Sequence, residues 1–192
     1  MNITPISFGK KIPIMKCNIK DTEENKNIPA TISEYDCQTS EDANDVFNVG
    51  YDWHFHINIG CAMQMKYEQN LYDEESSKHF YVTEDNNGCT VALCETEEKN
   101  NEIAVLYVES IPDSKYKYCG KTMLAALGKK LIKNNGDKLT IPMPLDEAYD
   151  FYVKGCGFKK TKEDDPYYLE MNQRQINKFI SETELQTGEK IL

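Results

Sequence analysis

The residues of this chain that could do chemistry gather in two stretches some thirty residues apart. Lys115-Tyr116-Lys117-Tyr118-Cys119-Gly120-Lys121-Thr122 follows a strand-like run from Val105 to Pro112 and leads into a helix expected to begin near Met123. A strand, a loop bearing lysine and glycine, and a helix start together aim backbone N–H groups at a phosphate. Glu109 stands at the end of the strand, where a carboxylate can take a proton from an ammonium, directly or through water, or can simply bind substrate. Strand alternation puts Tyr107 and Glu109 on one face, with Leu106, Val108 and Ser110 on the other. Downstream, Ala148-Tyr149-Asp150-Phe151-Tyr152-Val153-Lys154-Gly155-Cys156-Gly157-Phe158 sets Tyr152 on a short helix that a glycine ends.

Charge narrows the ligand classes. The chain has 22 Lys and Arg against 32 Asp and Glu, a net charge of −10. A general nucleic-acid footprint is therefore not expected. From Lys115 to Lys138, however, seven lysines stand against the single acid Asp137, a local +6, so the other residues sum to −16. A basic island around a glycine turn suits a phosphorylated ligand, and an acidic remainder suits a cationic one such as an amine. Read blandly, the island is a solvated helix face.

Seven cysteines, an odd number with no C-x-x-C pair, predict reduced thiols and a cytoplasmic, soluble protein. The expectation includes no membrane span, because no apolar run nears ~18 residues. No metal is expected, since ligand spacings are missing.

The elements that must position these residues read as an α/β chain. Residues 11–37 form a hairpin around a polar turn, Asp21 to Asn27. Thr39-Ser40-Glu41-Asp42 starts a helix, and residues 53–71 favour a second by their length. Phe80–Thr83, Thr90–Glu95 and Glu102–Val108 are three strands separated by Asn86-Asn87-Gly88 and Lys99-Asn100-Asn101. Gly120, Leu124, Leu127 and Leu131 lie on one apolar helical face, which Asn134-Asn135-Gly136 ends in a left-handed cap. Leu139–Met143 is a short strand, and Asp146–Lys154 is a helix followed by Gly155. Tyr167–Met171 is a final strand, and Gln173–Ile180 is a short terminal helix.

These stretches, in this order, resemble the GNAT (GCN5-related) N-acetyltransferases, which move an acetyl group from acetyl-CoA to an amine. The similarity covers residues 80–171 well and 1–79 in outline. Two loop registers are open, one on Lys115, Tyr118 and Gly120, the other on Lys117, Gly120 and Thr122. Pro112, three before Lys115, and Met123-Leu124, three and four after Gly120, fit the first. That register sets a tyrosine where the family has its first glycine.

The resemblance implies the acyl-CoA N-acyltransferase fold: a mixed central sheet flanked by helices, with a V-shaped splay after the fourth core strand. It implies a single domain over 1–192, made of an N-terminal hairpin (1–40), a helical acceptor-side region (41–79), a CoA-binding core (80–171) and a C-terminal helix and tail (172–192). Lys115, Lys117, Tyr118, Cys119, Gly120, Lys121 and Thr122 would hold the pyrophosphate, and the backbone of Val108 and Ser110 the pantetheine arm. Glu109 would serve as base and Tyr152 as the acid that protonates the leaving thiolate. Leu145 stands where the family often has an asparagine. Acetyl-CoA is the implied cosubstrate and an amine, small or on a protein, the acceptor, for a monomer or homodimer. The competing expectation is a degenerate fold that binds CoA or a protein without catalysis, for which Tyr118 and Leu145 argue. A toxin acting on charged tRNA is disfavoured by the acidic balance. His54, His56, His79, Cys156 and Trp53 read as surface or core residues.

Overall fold

The computed structural model describes residues 11–35, 78–99, 101–111, 115–161, 165, 167–188 and 191. The helices expected between residues 39 and 71, with Trp53, His54 and His56, lie outside them. In chain order the elements are β1 (Lys11–Asp21), β2 (Lys26–Tyr35), β3 (Lys78–Asp85), β4 (Thr90–Lys99), β5 (Glu102–Ser110) and β6 (Tyr116–Lys117). Next come α1 (Cys119–Lys133), β7 (Lys138–Ile141) and α2 (Asp146–Asp150), which runs into a π-helical turn, Phe151–Cys156. β8 (Lys159–Lys160), β9 (Leu169–Asn172) and α3 (Gln173–Thr187) complete the described chain.

The described strands form one sheet in the order β6-β1-β2-β3-β4-β5-β7-β9-β8. Every pairing is antiparallel except that of β5 with β7. The hairpin β1–β2 and the three expected central strands are present. β6 and β8, two residues each, were not legible, because so short a run carries no periodicity. Lys78 and His79 belong to β3 and not to the helical region assigned up to residue 79.

α1 starts four residues earlier than the sequence suggested, at Cys119. Cys119 and Gly120 are already buried against the sheet, so the first turn is held by packing as well as by propensity. Met123, Leu124, Leu127 and Leu131 bury the expected face. The helix ends as predicted, with Asn135 left-handed at φ 58° and the Gly136 N–H donating to the Leu131 carbonyl at 2.9 Å. α3 packs on α1 at Gly128, where an added Cβ would stand 2.7 Å from Ile176 Cγ2. It runs on to Thr187, past the expected Ile180, after a capping box between Asn172 and Gln175.

Two irregularities shape the middle of the sheet. β5 pairs with β7 only through Glu102–Ala104 against Lys138–Thr140. Past β7 come Pro142 and Pro144, which have no N–H to extend a ladder, and the chain turns away. From Val105 onward β5 therefore diverges from β7, which is the splay the resemblance implied. The second irregularity is a β-bulge. Glu95 pairs with Tyr107 and Thr96 with Val105, so Leu106 is an extra residue on β5.

The bulge resets which residues face α1. Before it, Ile103 and Val105 join the core beneath α1; after it, Val108 and Ser110 lie toward α1. Tyr107 and Glu109 face the other way, as alternation predicted, on a second buried face with Phe80, Val82, Leu93 and Glu95.

Candidate active site

The loop before α1 is fastened to the sheet edge. β6 pairs with β1, Tyr116 opposite Asp21 and Lys117 opposite Lys20. The Lys115 carbonyl accepts from the Thr22 N–H at 2.9 Å and from the Thr22 hydroxyl at 2.7 Å. Tyr116 donates its hydroxyl hydrogen to Asp85 Oδ2 at 2.9 Å. Asp85 also accepts from the N–H groups of Asn87 and Cys89, which ties the loop to the β3–β4 turn. Lys115 Nζ stands 3.0 Å from the buried Asp21 carboxylate. The Glu24 N–H and the Lys115 ammonium together hold Asp21 below the usual carboxylate range. Lys115 thus positions the loop and does not line the cavity beside it. Asp21 and Asp85 were missed in the sequence, because an acid beside a turn signals only a local turn.

The helix that follows starts on Tyr118, whose φ of 69° is left-handed, as a glycine's would be. The Thr122 N–H donates to the Tyr118 carbonyl at 2.8 Å. The N–H groups of Cys119, Gly120 and Lys121 precede the first helical bond and have no carbonyl one turn back. No acid occupies the first turn. A cavity of about 450 Å³ opens against these groups, lined by Val108, Ser110, Lys117, Tyr118, Gly120 and Lys121 among others. A Cβ on Gly120 would lie 3.4 Å from Ser110 Oγ and 3.6 Å from the Phe151 ring, so the glycine keeps this floor open. Thr122 is buried beneath the cavity and does not line it. Tyr116, Ala148 and Phe151 do, and the sequence had not assigned them.

A second cavity of about 430 Å³ fills the splay between β5 and β7, walled by Leu106, Tyr107, Ile141, Pro144, Leu145 and Tyr167 among others. Val108, Ala148 and Tyr152 line both cavities. Tyr152 is held there by the π-helical turn and by edge-on contacts with Phe151 and Phe158. The helix that carries it ends at Gly157, φ 86°, and not at Gly155; the π-helical turn adds the extra residues. Burial pushes the Tyr152 phenol above its ordinary pKa, so it is protonated at neutral pH. Its hydroxyl has no hydrogen-bond partner among the described residues.

Glu109 is 5% exposed, and neither carboxylate oxygen has a hydrogen-bond partner among the described residues. Burial without compensation pushes its pKa from the usual range up to about 7. It sits on the face turned away from α1 and lines neither cavity, although Val108, next to it in the chain, lines both. Cys119 and Cys156 are pushed up by burial to about 12, which makes them poor thiolates. Among the described residues, no cluster of His, Cys, Asp and Glu is arranged to hold a metal ion. No helix among them is long and apolar enough to cross a membrane.

The fold as a whole matches solved structures. A GNAT-family acetyltransferase from Staphylococcus aureus superposes with a TM-score of 0.57 at 16% identity, over 75% of this chain and 99% of that one. The chain has the GNAT fold. A spermidine N-acetyltransferase from Vibrio cholerae, solved with CoA and spermine, shares this GNAT fold at a TM-score of 0.52 and 13% identity, over 77% of this chain and 98% of that one. PaiA N-acetyltransferase from Thermoplasma acidophilum, solved with coenzyme A, gives 0.51 at 16%, over 73% and 98%. No protein-family model and no curated protein sequence matches the chain.

Proposed function

We propose that the chain transfers an acetyl group from acetyl-CoA to a primary amine. The observation that carries this reading is the pair of cavities meeting at Tyr152, one against the free N–H groups of α1 and one in the splay. Two GNAT-fold neighbours were solved with CoA, one of them with spermine as well. Lys117, Lys121 and the first-turn N–H groups suit the pyrophosphate, because they supply positive charge and donors with no acid nearby. The backbone of Val108 and Ser110, beyond the reach of β7, suits the amides of the pantetheine arm.

The reaction needs a neutral amine, an anchored oxyanion and a proton for the leaving sulfur. Glu109 lines neither cavity but follows Val108, which lines both, so it serves as the base directly or through water; its raised pKa, about 7, suits that task. The amine nitrogen bonds to the thioester carbon, and its electrons pass to the carbonyl oxygen. The register shift at Leu106 kinks β5 beside the splay, where a backbone N–H of the bulge would stabilise that oxyanion. Collapse breaks the C–S bond, and the Tyr152 hydroxyl gives its proton to the sulfur. The nitrogen sheds its second proton, which restores the tyrosine, so ammonium and thioester give amide, free thiol and one proton held on Glu109. A second reading, a module that binds CoA without turnover, draws on Tyr118 at the first-glycine position.

The test uses the full chain with acetyl-CoA in a calorimeter, followed by a panel of amines with thiol detection. Binding with thiol release on one class of amine is expected. No heat at millimolar acetyl-CoA would sink the proposal. Binding without release on any amine would hand the chain to the second reading.

A further inference from the structure

Tyr118 holds a backbone conformation that glycine adopts freely and tyrosine rarely does. Such strain persists only where the surroundings fix it. Its side chain contributes nothing evident to the core. Tyr118 is 36% exposed, lines the cavity against α1, and its side chain has no partner among the described residues. The Phe151 ring, 37% exposed, lines the same cavity, as do Lys117 and Lys121. Tyr152, only 6% exposed, lines it too. Accessible aromatic residues and lysines around one cavity describe a site for a nucleotide with a planar base. Phosphates suit the lysines and the N–H groups, and the base suits a ring.

We propose that the Tyr118 ring is the stacking face for the adenine base of the acyl-CoA substrate. This rests on the acyl-CoA reading above. A tyrosine in place of glycine costs strain and narrows the loop; in return it gives the nucleotide end a contact that a bare glycine turn lacks.

Calorimetry on wild type, Tyr118→Gly and Tyr118→Phe tests this with two probes, CoA and 4′-phosphopantetheine, which lacks the adenosine. Tyr118→Gly relieves the left-handed strain, so it folds, and a melting curve checks that it does. It should weaken CoA by roughly 5- to 150-fold, the range for one base–aromatic stack. Phosphopantetheine should not share that loss, and Tyr118→Phe, which keeps the ring, should restore CoA affinity. Equal losses on both probes would mean that Tyr118 shapes the loop, and would overturn the stacking alone. So would CoA affinity that is unchanged or improved in Tyr118→Gly. Wild type that binds neither probe would overturn the acyl-CoA reading, and the stacking with it.

Discussion

In the proposed reaction Glu109 would meet a catalytic demand at a cost in stability. Its folded pKa of about 7 lies above the ordinary 4.5. A raised pKa means that the folded state holds its proton more tightly than the unfolded state. The matching stability is present below pH 4.5 and is lost as pH rises through 7. Glu109→Gln cannot ionise, so its stability relative to wild type should improve by roughly 1–3 kcal/mol between pH 5 and pH 8. Urea melts at the two pH values measure this, and a constant difference would show that Glu109 does not titrate near 7. The same variant should lose about 10²-fold in acetylation rate at neutral pH. That loss should shrink at high pH, where the amine deprotonates unaided. A loss equal at every pH and carried in KM would mark a carboxylate that only binds substrate. Tyr152→Phe removes only the hydroxyl. Turnover should fall by roughly 10²-fold with little change in CoA affinity, whereas unchanged turnover would make Tyr152 a core residue.

At the scale of elements, the loop and α1 divide their lysines by task. Lys115 is tied to Asp21, while Lys117 and Lys121 line the cavity. Reversing Lys117 and Lys121 together to Glu should abolish the rise in melting temperature given by acetyl-CoA and leave the unliganded melt nearly unchanged. Lys115→Glu should instead lower the unliganded melt, because it sets a second carboxylate against buried Asp21. If the two variants behave alike in thermal melts, that division is wrong. Much of this was legible in the residues. The apolar face of α1, its Asn135 cap, the hairpin and the glycine turn at Gly88 are local signals, and local signals survive in a sequence. The direction of Lys115 was not legible, because Asp21 is far away in the chain. The basic island also dissolves on folding: Lys130 pairs with Glu98 and Glu34, Lys138 with Glu102, and Lys129 with Glu184. Counting charges along the chain cannot show such pairing.

At the scale of the molecule, the sheet is two parts joined by three residue pairs, Glu102–Ala104 against Lys138–Thr140. A ligand in the splay would touch both parts, through Val108 on one side and Ile141 and Tyr152 on the other. Acetyl-CoA at a hundredfold its Kd should stabilise the fold by about 2.7 kcal/mol. Its signature should be slower amide exchange in β5 and in β7 alike. Protection confined to α1 would mean that the ligand sits on the loop and never enters the splay.

The bulge on β5 makes an unusual separation possible. Deleting Leu106 would restore an even alternation through Val105, Tyr107, Val108, Glu109 and Ser110, with each of these still on the side of the sheet it now occupies. Only the kink would vanish. Most mutations trade one side chain for another; this one edits the course of the main chain and leaves the chemistry-bearing groups where they were. If the transfer needs the kink itself, the shortened chain should fold and bind CoA but turn over far more slowly than wild type. If it turns over as wild type does, the oxyanion must find its donor elsewhere.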